Sequence, residues 1–472
     1  MSNSAPTDEL HFVIGGAGFL GSHILKALVG RGESAVASFD LREVEEPIQG
    51  VRYFEGDLTN RDSLASAVAK AKASTNNPNR SVVVYHTASP VAGLDAGVYE
   101  RVNVNGTLVV IDVCTDAQYN ISKLIFTSSA GVVFSGHDLI YVDERLTYPK
   151  KPLDAYNDTK ARAEAAVLNA NKENGLQTVA LRPAGIFGPG DRQALPGFFK
   201  VLEDKRTKWQ IGDNTNLFDW TYVGNVAHAH LLASDSLGVR SHVSRPPSAY
   251  PATLLTEEHL PMLIGEHEKA ANREVPTSID RKDVSPPTKD YCRSVKPLID
   301  LSTVEAVDMR PVFRNRFDPL FHHANPESVC GGNPRPSVES LAHSELMAAG
   351  EAFFITNAQP IPFWDFPRAL WYRYNGHVDD KDSIFVMKLW VALLLAFFAE
   401  LFSKLTRRPV QFTRYRVTYT ACARYYNIEK ARRVIGYEPI YGLEEGIQLS
   451  VDWWKSIHPP VKEYPGESAK TK

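Results

Sequence analysis

The stretch LHFVIGGAGFLGSHI, residues Leu10–Ile24, decides the fold expected of this chain. Its first five residues are typical of a short buried strand, and the glycines after them open a helix. Free backbone N–H groups at a helix start favour an anion, and a Cβ on the glycines would keep a phosphate away. The pattern therefore predicts a strand, a phosphate-binding turn built on Gly15, Gly18 and Gly21, and a helix.

The end of the next strand indicates which ligand carries the phosphate. Residues 35–39 predict a second strand that ends in Asp40, about 20 residues beyond the glycines, where a carboxylate accepts hydrogen bonds from a ribose 2′-OH. NAD is therefore expected in preference to NADP. Arg42 keeps NADP open, because a guanidinium at that position pairs with a 2′-phosphate.

Composition narrows the class of protein. The 472 residues are 43% hydrophobic with a formal charge of -3, which is enough for a large core and gives no sign of nucleic-acid binding. The four cysteines have no C-x-x-C spacing, which argues against a disulfide framework and a structural zinc, so no metal is expected. The first ten residues lack a basic start and an apolar run, so we expect no cleaved signal peptide and a core that faces the cytosol.

Strand and helix patterns alternate along the first half of the chain. Strands are predicted at 50–57, 82–85 and 123–127, and helical patterns lie between them. This alternation predicts an α/β fold with a doubly wound parallel sheet. Small residues just after the strand at 82–85, among them Ala88, suit the crevice in which such a sheet binds its ligand. Asp57 is interpreted either as a contact to the adenine or as a turn aspartate.

The chemistry is clearest in YNDTK, where Tyr156 and Lys160 are four residues apart. An Ala-rich continuation predicts a helix, so both side chains lie on one face. A phenol is a poor base at neutral pH, and a cation beside it favours the phenolate, so Lys160 is expected to lower the pKa of Tyr156. Such a pair also occurs by chance on solvated helices, but here it follows a glycine turn, an acidic strand end and a T-S-S strand end in order.

These motifs, GGAGFLG, GDLT, TSSA, YNDTK and LRPAGIFGPGD, resemble the extended short-chain dehydrogenase/reductase family. The segments DWTYVGNVAHAHLLA, GEAFFITN and PIPFWDF resemble its 3β-hydroxysteroid dehydrogenase family, and within that the branch of decarboxylating sterol-4α-carboxylate 3-dehydrogenases. The resemblance implies a Rossmann domain with a smaller C-terminal substrate lobe. It covers about 10–236 and 350–454.

The resemblance also implies roles for single residues. The general base falls on Tyr156, with Lys160 beside it. The serine falls on Ser129, with Ser128 as the alternative register. Asn103 supports the lysine through water. The implied cofactor contacts are Gly15, Gly18, Phe19, Leu20, Gly21, Asp40, Asp57, Leu58, Ala88, Lys160 and Pro183.

Three parts of the chain are distinguished. Residues 8–236 form the dinucleotide-binding domain, with the substrate lobe beginning after 184, and 349–458 form the rest of the lobe. Between them, 240–340 is rich in proline and has no lasting apolar period, which predicts a loosely ordered insertion whose removal leaves activity intact. A gene-model artefact and a partner-binding insert are the alternatives for this segment.

The lobe contains aromatic and apolar segments with more than one interpretation. A helix is expected to begin at PIPFWDF, and its aromatic residues suit either a core or a flat sterol. The apolar stretch 384–402 is short for a spanning helix, so a core or interfacial helix is the default. The basic residues Lys404, Arg407 and Arg408 favour attachment to an anionic membrane surface, by an interfacial helix or by a single spanning anchor. His228 and His230 are two residues apart, which argues against a metal pair.

The function expected from the resemblance is oxidation of the 3β-hydroxyl of a 4α-carboxysterol with loss of CO₂. The implied partners are a sterol, the endoplasmic reticulum membrane with the catalytic domain facing the cytosol, other enzymes of sterol C4 demethylation, and a second copy of the chain in a homodimer; no nucleic acid is expected. Two rivals stay open, namely a dehydrogenase or epimerase for another alcohol and a non-catalytic dinucleotide-binding scaffold.

Overall fold

The computed structural model describes residues 5–44, 46–91, 93–142, 144, 146, 148–239, 241–242, 345–346, 348–377, 379, 383–406, 410 and 412–458. The predicted insertion at 240–340 lies outside these ranges except for residues 241 and 242. Cys292, Cys330, Arg407, Arg408 and the polar end of the chain also lie outside them.

The described elements alternate as the sequence predicts. The strands are β1 (Leu10–Ile14), β2 (Val36–Asp40), β3 (Val51–Glu55), β4 (Val82–His86), β5 (Ile121–Thr127), β6 (Leu139–Val142), β7 (Gln177–Pro183), β8 (Gly185–Phe187), β9 (Trp209–Ile211), β10 (Leu217–Phe218), β11 (Trp220–Tyr222), β12 (Ser241–His242), β13 (Glu345–Leu346), β14 (Glu351–Ile355), β15 (Ile361–Pro362), β16 (Phe385–Met387) and β17 (Arg424–Tyr426). The helices are α1 (Phe19–Arg31), α2 (Arg61–Ala73), α3 (Ala96–Tyr99), α4 (Thr107–Thr115), α5 (Ala155–Asn169), α6 (Ala194–Glu203), α7 (Val223–Ser236), α8 (Asp365–Asn375), α9 (Leu389–Thr406), α10 (Arg414–Ala421), α11 (Glu429–Val434) and α12 (Leu443–Ile457). A π-helical segment, Glu100–Gly106, joins α3 to α4.

The main sheet has seven parallel strands in the order β14-β7-β5-β4-β1-β2-β3. Successive residues of β1 face opposite sides, so Val13 packs with α1 and α7 while Phe12 packs with α2, α4 and α5. Helices cover both faces, which is why the central strands β1 and β4 are buried along their whole length, whereas the edge strand β3 is partly exposed. The strand order reverses between β1 and β4, and there a crevice opens at the carboxyl ends. The predicted doubly wound fold is confirmed.

The strand at one edge of this sheet, β14, lies in a different part of the molecule from the one predicted. Strand β14 was expected in the substrate lobe, since it lies within 349–458. It pairs in parallel with β7 instead, with Phe353 opposite Leu181, and Gly350 N donates to Thr178 O at 2.7 Å. The dinucleotide-binding domain is therefore completed by a strand from the far side of the proline-rich segment, because β7 would otherwise expose an unpaired edge.

The lobe is built around a second sheet in the order β15-β10-β17-β6. Because β6 belongs to this sheet, one strand of the lobe precedes residue 184, where the lobe was predicted to begin. Aromatic rings fill the space behind it: Trp220 stacks on Phe366 with ring centroids 4.1 Å apart, and Phe199 stacks on Trp454 at 4.5 Å. The first pair joins α8 to β11, and the second joins α6 to α12.

Two predicted helix starts need correction. Helix α8 begins at Asp365 with Trp364 as its cap, so Phe363 lies before the helix, where its N–H donates to Asn216 O at 3.1 Å. The apolar stretch 384–402 is not one helix, because Phe385–Met387 forms a strand parallel to β9 and α9 begins only at Leu389. Cross-strand packing of Phe385 on Trp209, at 4.8 Å, favours the strand over another helical turn.

Candidate active site

The glycine turn has the geometry that its sequence predicts. Gly15 has φ +89°, and Gly18 N donates to Gly15 O at 3.0 Å, which closes the turn. A Cβ on Gly21 would lie 2.1 Å from Gly15 O, so only glycine lets α1 start this close to β1. The first N–H groups of α1, at Phe19 and Leu20, are those that a helix leaves without partners of its own.

Asp40 lies directly beside this turn. Its Oδ2 accepts from Ala17 N at 3.1 Å, and its Oδ1 accepts from Arg42 N at 3.1 Å. Arg42 Nε is 3.8 Å from the same carboxylate, and the Arg42 side chain is about half exposed. An anion-binding helix start and a carboxylate at the end of β2 therefore lie side by side, which fits a dinucleotide with its pyrophosphate at α1 and its ribose at Asp40.

The other expected cofactor contacts lie at or just after the carboxyl ends of β3, β4 and β7. A Cβ on Gly15 would lie 2.7 Å from Ala88 N, so Ala88 borders the turn from β4. Pro183 is the last residue of β7 and pairs with Ile355. Asp57 Oδ1 accepts from Thr59 N at 2.8 Å, as expected if Asp57 is a turn aspartate. Leu58 packs against Gly106, where a Cβ would lie 2.1 Å from its Cδ1.

Helix α5 brings the predicted catalytic side chains together. Asp154 caps it by accepting from Asn157 N at 2.8 Å, which fixes the first turn and so the half-buried Tyr156. Burial raises the pKa of Tyr156 to about 12, and hydrogen bonding to the hydroxyls of Ser129 and Ser89 lowers it. Of the two serine registers, Ser129 is the one whose side chain meets the phenol.

Lys160 is buried, with 2% of its surface exposed, and its Nζ donates to Thr127 O at 2.9 Å. Burial lowers the pKa of Lys160 to about 7, while the charge of Glu164 raises it. The influence of Lys160 on the pKa of Tyr156 stays a prediction. Burial outweighs the other influences on the phenol and also drives the lysine itself toward its neutral form.

A chain of polar side chains connects the phenol to the π-helical segment. Asn103 Oδ1 accepts from Ser89 Oγ at 3.0 Å, and Asn103 Nδ2 donates to Thr159 Oγ1 at 3.1 Å. Asn103 is therefore held from both sides and is not hydrogen bonded directly to Lys160. The residue that sequence reasoning missed here is Ser89, although its place among the small residues after β4 was a signal.

A buried ion pair next to Lys160 was also missed. Arg182 on β7 donates from Nε to Glu164 Oε2 at 3.0 Å and from Nη2 to Oε1 at 2.6 Å, and Tyr148 OH donates to Oε1 at 2.6 Å. The guanidinium keeps the pKa of Glu164 below its usual range despite burial. The signal was the spacing, since Tyr156, Lys160 and Glu164 recur every four residues on one face of α5.

The two histidines of α7 do not form a pair. His230 is buried and shares a hydrogen bond of 2.7 Å with Thr127 Oγ1 and another of 2.7 Å with Val226 O, as a satisfied core histidine does. Burial lowers the pKa of His228 and of His230 to about 4. Among the described residues, no group of three His, Cys, Asp or Glu side chains is placed to hold a metal ion.

Helix α9 exposes most of its apolar side chains. Within it only Ala392 and Ala396 are buried, against Val417 of α10, so the core-helix interpretation is wrong. Trp390 is 66% exposed. The large exposed apolar residues of α9 and the adjoining strands, called here the apolar ridge, are Trp209, Phe385, Val386, Leu389, Trp390, Leu394, Leu395, Phe397, Phe398, Leu401, Phe402 and Leu405. Among the described helices, α9 alone is long and apolar enough to cross a membrane by length and composition.

The fold is a Rossmann fold of the extended short-chain dehydrogenase/reductase kind, and its crevice suits a nicotinamide dinucleotide. Solved structures share this fold. The UDP-glucose 4-epimerase of Thermus thermophilus, solved with NAD, has a TM-score of 0.53 and 18% identity over 94% of this chain and 98% of its own. The NAD complex of dTDP-glucose 4,6-dehydratase from Bacillus anthracis has a TM-score of 0.51 at 15% identity, over 95% and 97% of the two chains.

Residues 12–245 match the model of the 3-beta hydroxysteroid dehydrogenase/isomerase family, and the chain belongs to this family. It is 34% identical over 451 residues to the sterol-4-alpha-carboxylate 3-dehydrogenase, decarboxylating, of Saccharomyces cerevisiae, which covers 93% of this chain and 96% of the relative. The enzyme of the same name in Schizosaccharomyces pombe is 35% identical over 442 residues, covering 93% and 95%.

Proposed function

We propose that the protein oxidises the 3β-hydroxyl of a 4α-carboxysterol and releases the 4-carboxylate as CO₂ in sterol biosynthesis. The observation that supports this most directly is full-length similarity to relatives named for that reaction, combined with an intact Tyr156, Lys160 and Ser129 at the crevice. A non-catalytic scaffold has no use for a phenol, an amine and a hydroxyl kept at this place.

The cofactor is a nicotinamide dinucleotide, and we propose NAD as the form used. When bound, it supplies the acceptor for the hydride from C3. The chain holds it by the N-terminus of α1 and by Asp40, whose carboxylate suits a free 2′-OH and repels a 2′-phosphate. Arg42 lies beside Asp40 and offers NADP weaker compensation, because its side chain is half exposed.

Tyr156 takes the proton of the 3-hydroxyl. Ser129 and Ser89 reach the phenol and orient the reacting oxygen. Burial raises the pKa of Tyr156 to about 12, while hydrogen bonding to the Ser129 and Ser89 hydroxyls favours the phenolate. Ser89 is held in turn by Asn103, which is fixed by Thr159. Lys160, with a pKa of about 7, exchanges a proton readily and binds the ribose.

Loss of CO₂ needs no residue of its own. Oxidation at C3 leaves a ketone next to the carbon that bears the carboxylate. The C4–carboxyl bond then breaks, its electron pair passes into the enolate of the new ketone, and a proton from solvent or a side chain restores C4. The contribution of the protein is to position the sterol and to remove the hydroxyl proton.

The apolar ridge suits a substrate that resides in a bilayer. We propose that α9 lies in the cytosolic surface of the endoplasmic reticulum membrane without crossing it. One side of α9 packs on α10 through Ala392 and Ala396, and Glu400 pairs with Arg414 of α10 at 2.8 Å. A spanning helix would draw that ion pair and the attached α10 into hydrocarbon, which is costly.

The test of the reaction is turnover of a sterol labelled in its 4α-carboxylate. We expect reduction of NAD and release of labelled CO₂ in equal amounts, and slower reduction with NADP. Cofactor reduction without labelled CO₂, or preference for an uncarboxylated alcohol, would show that another alcohol is the substrate. Carbonate extraction tests the membrane arrangement, and release of the protein into the soluble fraction is expected for an interfacial helix.

A further inference from the structure

Within the described part of the chain, a buried arginine of the lobe has no anionic partner. Arg424, on β17, is 5% exposed, and its Nη2 donates to Tyr419 O at 2.9 Å. Its Nε has no hydrogen-bond partner, and among the described residues no carboxylate forms an ion pair with it. A buried charge without a counterion is costly, so such a group is kept where a ligand supplies the opposite charge.

Two acidic side chains on adjoining segments do not neutralise Arg424. Asp219 is buried and uses Oδ2 to accept from Tyr426 N at 2.8 Å, and burial raises its pKa to about 8. It forms no ion pair with Arg424. Asp138 is exposed, and its Oδ1 accepts from Ala423 N at 2.8 Å.

Aromatic rings hold the guanidinium in place instead. Its Cζ lies 3.5 Å from the ring centroid of Tyr419, 4.6 Å from that of Phe218 and 4.7 Å from that of Phe134. This cage fixes the plane of the guanidinium without consuming its N–H donors. A planar, weakly hydrated cation with an unused N–H donor is suited to binding a carboxylate.

The cage adjoins the catalytic phenol. Phe134 ends the short helical turn that follows Ser129, and its carbonyl accepts from Leu153 N at 3.3 Å, immediately before the cap of α5. Tyr419 in turn lies near enough to Tyr156 to raise the pKa of its phenol. One wall of the cage, Phe134, is thus hydrogen bonded to the segment that leads into the helix of the base. In the proposed substrate, the carboxylate is on the carbon next to the reacting hydroxyl.

We propose that Arg424, held by Phe134, Phe218 and Tyr419, binds the carboxylate of the sterol and so selects carboxylated over uncarboxylated 3-hydroxysterols. This inference rests on the proposed function. Arg424 is a specificity-determining residue and takes no part in bond breaking. Loss of CO₂ removes the charge that Arg424 binds, so the contact between Arg424 and the carboxylate stabilises the bound substrate more than the decarboxylation transition state. Substitution of Arg424 should therefore change KM.

The test compares two substrates, a 4α-carboxy-3β-hydroxysterol and the same sterol without the carboxylate. In Arg424→Gln we expect KM for the acid to rise roughly 10- to 100-fold, as for a lost charge-assisted hydrogen bond, with KM for the uncarboxylated sterol nearly unchanged. The matched control is Arg416→Gln, which removes the same charge from an exposed position on α10 and should alter neither value.

Folding is checked by NAD binding to each variant. If Arg424→Gln does not fold, Arg424→Lys retains the charge and should keep part of the preference for the acid. An equal change for both substrates, or none, would overturn the role of Arg424, as would a wild-type enzyme that does not favour the acid. A wild-type enzyme that fails to release CO₂ from the acid would overturn the proposed function and this inference with it.

Discussion

Helices α5 and α9 have similar lengths, 15 and 18 residues, and opposite relations to solvent. Helix α5 buries Asn157, Thr159, Lys160 and Glu164, whereas α9 exposes most of its Leu, Phe and Trp side chains. Each departs from the usual distribution of polar and apolar residues. Such departures cost stability, so they are expected where a ligand or a membrane makes use of them. We infer that α5 serves the reaction and α9 serves a membrane, and each inference can be broken by substitution.

The largest effect is expected from the phenol of α5. Tyr156→Phe removes the proton acceptor, and turnover should fall about 10²- to 10⁴-fold, the usual contribution of general acid–base catalysis. NAD affinity should remain near that of the wild type, since the phenol is not part of the glycine turn. Steady-state kinetics with the carboxysterol and a cofactor titration measure the two quantities. Unchanged turnover would remove Tyr156 from the mechanism.

The buried ion pair next to Lys160 tests stability. Glu164→Gln leaves the Arg182 guanidinium buried without its counterion, and the free energy of unfolding should fall by about 3–5 kcal/mol. Urea unfolding measures this change. The matched control is Glu100→Gln, which breaks the exposed pair with Arg162 and should cost about 1 kcal/mol or less. Equal costs in the two variants would contradict the buried role of Glu164.

The lysine of α5 predicts a pH dependence. The pKa of Lys160 is lowered to about 7 in the folded protein and is about 10.4 in an unfolded chain. Between these values the unfolded chain binds more protons, so this group makes the free energy of unfolding rise with pH, by at most about 1.4 kcal/mol per pH unit. Lys160→Met should remove that rise. Urea unfolding of both proteins at about pH 7, 8 and 9 gives the difference, and parallel curves would refute it.

The smallest effect concerns the apolar ridge of α9. Trp390→Ser should lower binding to vesicles of neutral and anionic phospholipid roughly tenfold, because one large apolar side chain no longer leaves water. Flotation with liposomes measures the bound fraction. Stability should barely change, since the side chain is already exposed in the fold. Ser403→Ala on the same helix is the control, and equal binding of both variants would mean that α9 does not face the bilayer.

The parts of the molecule that could be predicted from sequence are local. The turn at Gly15, the acid at Asp40 and the pair on α5 each follow from residues within one strand, one turn or one helix. The place of β14, the contribution of β6 to the lobe sheet and the contact of Glu164 with Arg182 depend on pairings between distant segments. Such pairings produce no periodic pattern in the sequence of either segment, because each strand or side chain could pair with many other segments of the chain.

The position of β14 also has a consequence for how the chain folds. In the nascent protein, β7 leaves the ribosome long before β14, and its outer edge has no partner while the lobe and the proline-rich segment are made. Closing a loop of that length is slow, and an open strand edge is where chains associate wrongly. We therefore expect that a chain interrupted after α7 aggregates, and that folding yield in cells depends on chaperones that cover this edge until synthesis is nearly complete.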